Sequence, residues 1–255
     1  MRAYTAFLRK EFTEGLRTCK FPVMAAVFVL LGLMNPLIAK MLPDLFSGVD
    51  LGGGMILTMP EPTAMDSWTQ FFSNMSQIGI VTLVVVFCGI MSNEFSRGTL
   101  VNILSKGMRR HTVLLAKFTA AAAVWTVCYA ISLAVTWAYT AYFWQVEPMQ
   151  GAAFAFASPW VYGLLLISLM MLGGMLFKTF YGSLLVTVGA VVAMSLVSII
   201  PNSQRYNPIA LSGDTLAILM GAKSPGDFMP AMVICAVGTV VLFVLSAVVF
   251  NKKEM

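Results

Sequence analysis

The chain has 255 residues, of which 59% are hydrophobic and only 11% are charged. Soluble domains carry about 25% charged residues, so this composition excludes an ordinary soluble protein and indicates a multi-pass membrane protein. Lysines and arginines that flank membrane spans explain the net charge of +5 and the pI of about 9.1, so we expect no nucleic-acid partner.

The first 20 residues have the pattern of an amphipathic helix lying on the inner leaflet. Its apolar stripe contains Tyr4, Phe7, Leu8, Phe12, Leu16 and Cys19. Its opposite face contains Arg9, Lys10, Thr13, Arg17 and Lys20, whose cations would meet lipid phosphates. Glu11 breaks this pattern because it projects on the apolar side. It either reaches water at the edge of the stripe, or pairs with a cation of the loop after the second span or with a partner protein.

Six apolar runs are long enough to cross the roughly 30 Å hydrocarbon core of a bilayer. They lie near residues 21–42, 77–93, 117–141, 159–177, 180–200 and 228–250. We therefore predict one all-α membrane domain over residues 1–255, in which the N-terminal interfacial helix precedes six transmembrane helices. Asn35-Pro36 interrupts the first run and should kink that helix or free one of its backbone carbonyls.

The distribution of lysine and arginine predicts that both termini face the cytoplasm. In that orientation 13 of the 16 cations lie inside, and only Lys40, Arg205 and Lys223 lie outside. Residues 94–116 then form a cytoplasmic loop, and residues 43–76 form an outer segment that we expect to be largely irregular. The outer segment 201–227 should hold a short surface or re-entrant helix, which Ser212 or Asp214 caps and Gly221 ends.

The predicted spans contain no Asp, Glu, Lys, Arg or His in their interiors. Proton- or ion-coupled transporters and intramembrane proteases usually need such groups. The chain has no GxxxxGK[ST] pattern for binding ATP, and its four cysteines lack the paired spacing of a disulfide framework or metal site. We therefore expect no cofactor in this chain, and the energy for any uphill transport must come from another polypeptide.

The predicted cytoplasmic loop has the pattern of a short exposed helix. After a turn at Arg97-Gly98, Thr99 is suited to cap a helix over residues 100–105, which Lys106-Gly107 would end. The side chains of Leu100, Ile103 and Leu104 would share one face of this helix. That face would insert into a groove on a soluble partner or cover the ends of the spans, and the spacing alone leaves both open.

This loop resembles the signature of the ABC-2 family of ABC-transporter permeases, in which an acid, a Gly-Thr pair, a Leu-Ser pair, a basic residue and a lysine follow one another. The matching residues are Glu94, Arg97, Gly98, Thr99, Leu104, Ser105, Arg109 and Lys117. The run Arg9-Lys10-Glu11, followed by Arg17, is similar to the amphipathic elbow helix of that family. The likeness covers essentially the whole chain, which lacks the large extracellular domain and the fused ATPase of larger members.

The resemblance implies that the chain is not an enzyme but the membrane subunit of an ATP-driven exporter in a bacterial cell membrane. Two permeases, identical or paralogous, would pair with two separate P-loop ATPase subunits that bind ATP and Mg²⁺. The helix at Thr99–Ser105 would be the coupling helix, and Glu94 would brace the elbow or the loop. The implied coupling residues are Glu94, Arg97, Gly98, Thr99, Leu100, Ile103, Leu104, Ser105, Arg109, Arg110 and Lys117. Of these, Arg97, Arg109 and Arg110 would bind acids of the ATPase or lipid phosphates.

The spans without charges favour a hydrophobic or amphipathic substrate, with a peptide or toxin preferred over a drug or lipid. The pattern leaves two other functions open. One is a membrane anchor or sensor that recruits a soluble partner without transport, and the other is a secondary transporter.

Overall fold

The computed structural model describes residues 2–46, 61–96, 98–99, 105, 107–145, 149–200 and 202–252. These residues form helices and connecting turns without a strand. The helices are α1 (Arg2–Arg17), α2 (Lys20–Phe46), α3 (Ala64–Asn74), α4 (Ile80–Phe87), α5 (Ser92–Ser96), α6 (Arg110–Phe143), α7 (Ala152–Phe177), α8 (Phe180–Val197), α9 (Ala210–Gly213), α10 (Leu216–Leu219) and α11 (Pro225–Lys252). A π-helical segment, Met75–Gly79, joins α3 to α4.

Six helical segments within the described ranges are long and apolar enough to cross a membrane. They are Lys20–Leu42, Ala64–Ser96, Arg110–Phe143, Ala152–Phe177, Phe180–Val197 and Pro225–Lys252. The predicted all-α membrane fold with six spans is therefore confirmed, while the orientation of the termini stays a prediction. Helix α6 has 34 residues and is about 51 Å long at 1.5 Å per residue, so it tilts or projects beyond the hydrocarbon core.

The second span is longer than the predicted 77–93, because it begins at Ala64. The prediction that residues 43–76 are largely irregular is wrong for residues 43–46, which end α2, and for residues 64–76. The backbone N–H of Thr63 donates to Asp66 Oδ2 at 2.8 Å and starts the helix in the manner of a capping box. Polar residues lower the mean hydropathy of this stretch, but one face of it is apolar and buried. The buried face contains Trp68, Phe71, Phe72 and Met75.

Helix α7 lies at the centre of the bundle. It packs against α6, α8 and α11, and most of its side chains are buried, whereas α8 and α11 expose most of their surface. Gly163 of α7 faces Trp125 of α6, and a Cβ atom at that position would overlap the indole ring. The indole N–H of Trp125 donates to the Trp160 carbonyl at 3.0 Å, which satisfies this buried polar group.

A polar network inside the membrane domain fastens the interrupted first span. Pro36 has no N–H, so the carbonyl of Gly32 loses its helical partner, and the Thr136 hydroxyl of α6 donates to it at 3.2 Å. Asn35 Nδ2 donates to Thr136 Oγ1 at 3.0 Å, and Asn35 Oδ1 accepts from Asn74 Nδ2 at 2.7 Å. The carbonyl freed by proline is therefore present, and its partners tie α2 to α6 and to the end of α3.

The segment between the fifth and sixth spans holds two short α-helices, α9 and α10, and a 3₁₀ helix, Ser203–Arg205, instead of the single predicted helix. The N-caps of α9 and α10 are Ile209 and Thr215, so the predicted caps Ser212 and Asp214 are wrong. Gly221 follows α10 with a φ of 69°, in agreement with the predicted helix end. The segment packs against α7 and α3. Its buried apolar side chains are Ala210, Leu211, Ile218 and Leu219.

We expect Thr136→Val to lower the free energy of unfolding by about 1–2 kcal/mol, because the Gly32 carbonyl and the Asn35 amide lose their partner. Thr119→Val is the matched control on the same helix, since the Thr119 hydroxyl donates only along α6, to the Leu115 carbonyl. The control should cost less than about 0.5 kcal/mol. Unfolding in mixed micelles with increasing dodecyl sulfate measures both variants. Equal losses would contradict the role assigned to the network.

Candidate functional site

Ion pairs connect α1, α5 and α6 at one end of the bundle. Lys117 Nζ lies 2.9 Å from Glu11 Oε2 and 3.0 Å from Glu94 Oε1. Lys10 Nζ lies 3.0 Å from the same Glu94 oxygen and 3.1 Å from Glu14 Oε2. We call these five residues the elbow cluster. They join the N-terminal helix to the end of the second span and to the start of the third.

Three members of the elbow cluster are largely withdrawn from solvent. The exposed fractions of the side chains are 4% for Lys117, 6% for Glu94 and 11% for Glu11. Buried charges are tolerated when close partners offset the loss of hydration, and each of these groups has such a partner. Partial burial lowers the pKa of Lys10, but its hydrogen bond to Glu94 and the charge of that carboxylate outweigh this effect. The Lys10 pKa therefore lies above its ordinary value.

The orientation of α1 explains why Glu11 takes part in this cluster. Phe7, one turn before Glu11, is buried in the core, and the Lys117 ammonium lies 5.7 Å from the centre of its ring. The apolar side of α1 thus faces α2 and α6 in its first half, whereas Leu16 is exposed. Part of the apolar stripe of the predicted interfacial helix therefore packs against the bundle rather than against lipid. Of the two alternatives for Glu11, pairing with a cation near the loop is the one observed, and the cation is Lys117.

Glu94 also contacts the beginning of the loop between the second and third spans. The Thr99 hydroxyl donates to the Glu94 carboxylate, and it lies 3.4 Å from the Glu94 backbone carbonyl. Gly98 has a φ of 65° and Gly107 a φ of 83°, the left-handed conformation expected at the two predicted turns. Glu94 was expected to brace the elbow or the loop, and in the structure it contacts both.

The remaining predicted coupling residues are distributed as follows. Arg97, Leu100, Ile103 and Leu104 lie outside the described residues. Ser105 and Arg109 are exposed, as are Arg9 and Arg17 on the outer face of α1.

Two predicted coupling cations are engaged inside the chain rather than presented to a partner. Lys117 is buried in the elbow cluster. Arg110 Nη1 donates to the backbone carbonyl of Phe250 at 2.6 Å and to that of Asn251 at 3.2 Å. Both side chains were predicted to contact an ATPase partner, and in the structure both make contacts within the chain.

The elbow cluster has the composition of an ion-pair network more than that of a metal centre. Carboxylate oxygens of Glu11, Glu14 and Glu94 lie within 4.8 Å of one another, so they could in principle hold a cation. The ammonium groups of Lys10 and Lys117 already occupy these oxygens, and a divalent ion would have to displace both. The arrangement is suited to holding three helices in a fixed relation.

The sequence interpretation missed Glu14 as a member of the cluster. The signal was present, because Lys10 and Glu14 are separated by four residues and so share one face of α1.

The fold and the elbow cluster together define an all-α, multi-pass membrane protein whose N-terminal helix is fastened to the bundle by buried ion pairs. The chain is similar to the uncharacterized transmembrane protein YxlG of Bacillus subtilis (strain 168). The two are 19% identical over 258 residues, which cover 100% of this chain and 99% of that protein. No family model matches the chain. The similarity supports the assignment to multi-pass membrane proteins.

We expect Lys117→Met to destabilise the protein by about 3–5 kcal/mol, because Glu11 and Glu94 would lose their buried cation and keep only the more exposed Lys10 as a partner. The triple variant that adds Glu11→Gln and Glu94→Gln should recover most of this loss, since it leaves no buried carboxylate without a counter-charge. The free energy of unfolding in mixed micelles measures both.

Arg9→Met is the matched control, because it removes a cation from the exposed face of α1. Its effect should stay within about 0.5 kcal/mol. A triple variant no more stable than the single variant would contradict the explanation that unpaired buried carboxylates cause the loss.

Proposed function

We propose that this chain is the membrane subunit of an ATP-driven exporter of the ABC-2 type, located in a bacterial cell membrane. One observation carries the proposal: the elbow cluster joins the root of the loop between the second and third spans to α1 and to α6. In the ABC-2 resemblance this loop is the place where a separate ATPase docks. The cluster provides the rigid connection that such docking needs in order to move the spans.

The connection is rigid for an energetic reason. Breaking one partner out of a buried ion pair costs about 3–5 kcal/mol, so Glu94, Glu11 and Lys117 remain together while their helices move. Thr99 extends the connection to the first residues of the loop through its hydrogen bond to Glu94. A displacement of the loop would then move α1 and α6 as one unit instead of bending the chain at its root.

The partners follow from this mechanism. Two permeases, as a homodimer or with a paralogue, would associate with two P-loop ATPase subunits that bind ATP and Mg²⁺. Residues Thr99–Ser105 would form the coupling helix, with Leu100, Ile103 and Leu104 in the ATPase groove. The exposed side chain of Arg109 would add contacts to acids of the ATPase or to lipid phosphates.

The substrate class is supported by the composition of the spans. Apart from the paired Glu94 and Lys117, the spans carry their charges close to their ends, and neutral polar groups such as Asn35 and Thr136 are satisfied by one another. Such spans favour a hydrophobic or amphipathic cargo, and a peptide or toxin fits better than a sugar polymer. Export in the outward direction is part of the proposal.

The experiment combines association with transport. We expect Leu104→Asp to abolish co-purification of the chain with its separately encoded ATPase, because a carboxylate would enter an apolar docking groove. His111→Asp is the control, since it adds the same charge at an exposed position near the start of α6 and should leave association unchanged. Undiminished association of the Leu104 variant would contradict the coupling-helix assignment.

Inverted membrane vesicles containing all subunits should accumulate an amphipathic peptide when ATP is supplied, and an ATPase with a changed P-loop lysine should prevent accumulation. Association without any flux would favour the membrane anchor or sensor. Flux driven by an imposed ion gradient without ATP would favour the secondary transporter.

A further inference from the structure

Phe95, the residue after Glu94, connects α5 to the opposite terminus of the chain. Its ring lies 6.2 Å from the ring of Phe250 near the end of α11, at an interplanar angle of 88°. The ammonium of Lys178, between α7 and α8, lies 5.7 Å from the centre of the Phe95 ring. Phe250 is buried although it stands two residues before the end of its helix. Aromatic pairs and cation–ring contacts of this kind are favourable where water is excluded.

Arg110, the first residue of α6, holds the same end of α11. Its guanidinium lies 5.6 Å from the centre of the Phe250 ring and donates to the carbonyls of Phe250 and Asn251. The last carbonyls of a helix have no partner within the helix, and a cation there also interacts favourably with the helix dipole. Arg110 therefore caps the last span from the start of the third.

We infer that α5, which we call the connector, connects two parts of the bundle. Glu94 contacts α1 and α6 through the elbow cluster, and Phe95 contacts the end of α11. Displacement of the loop at Thr99 would then reach α11 as well as α1 and α6. Arg110, Phe95 and Phe250 are positioning residues in this arrangement. The inference rests on the proposed function for the origin of the displacement, whereas the connection itself is a property of this chain alone.

Helix α11 packs along the central helix α7, so a displacement of its end would also reach the centre of the bundle. Most of the surface of α11 is exposed, and its contact with α7 is the most extensive one between two helices of the described residues. The contacts of Phe95 and Arg110 add a separate connection, to α5 and to the start of α6, at the end of α11 nearest to the loop.

Hydrogen–deuterium exchange on the chain alone in lipid nanodiscs tests the connector without an ATPase. We expect Arg110→Gln to speed amide exchange in the last two turns of α11 by about tenfold, because the capped helix end frays. Lys252→Gln is the matched control, since it removes a cation from the same helix end at an exposed position. It should leave exchange within about twofold of the original.

The decisive variant is Glu94→Gln, because the partners of the Glu94 carboxylate are Lys10, Lys117 and Thr99, which lie outside α11. The connector predicts about threefold faster exchange at the end of α11 as well as in α1, because α5 loosens as a unit. Thr99→Val provides the same test if Glu94→Gln does not fold. Faster exchange in α1 with unchanged exchange in α11 would overturn the inference and reduce Arg110 to a local cap.

A second measurement uses the complete transporter. Phe250→Ala removes the connection without changing a charge, so ATPase association should remain while peptide transported per ATP hydrolysed falls about tenfold. Unchanged transport per ATP would overturn the functional consequence. If no variant and no original protein transports peptide, the proposed function fails, and the exchange experiment still decides the connector.

Discussion

The buried ammonium of Lys117 constrains the arrangement of the whole site. It lies about 10 Å along α6 from the first residue of that helix, in a helix that crosses the membrane. An unpaired charge at such a position costs several kcal/mol, so carboxylates must be brought to it from elsewhere in the chain. Glu11 comes from α1 and Glu94 from α5, and their pairing with Lys117 fixes both helices against α6.

Helix α6 also makes hydrogen bonds through uncharged groups at a second position. Thr136 lies 19 residues after Lys117, which is about 28 Å along α6, and it accepts from Asn35 while donating to the carbonyl left open by Pro36. One end of α6 is therefore fastened to α1 and α5, and the other to α2 and α3. Helix α6 is thus held at both ends, with apolar packing between them, as the proposed mechanical role would require.

Hydropathy alone predicts the number and approximate position of the spans, because twenty apolar residues in succession have few alternatives. It fails for residues 64–76, where Asp66, Gln70 and Asn74 mask an aromatic face that only tertiary packing buries. Glu11 was recognisable as an exception on the apolar side of α1, but its partner depended on the rotation of α1 against α6. The role of Arg110 was beyond sequence reasoning, since its partners are backbone carbonyls 140 and 141 residues away.

The distribution of ionised groups is relevant to whether the proposed transport is coupled to an ion gradient or to an ATPase. Between Lys117 and Thr136, α6 contains no Asp, Glu, Lys, Arg or His, and the ionised pairs gather at its beginning. A pathway for protons across the bilayer needs titratable groups at successive depths. A membrane domain driven by a partner at one end needs instead rigid contacts at that end. Beyond them it needs apolar helix surfaces that can shift against one another. The elbow cluster and the apolar length of α6 have the features that the proposed input through the loop would require.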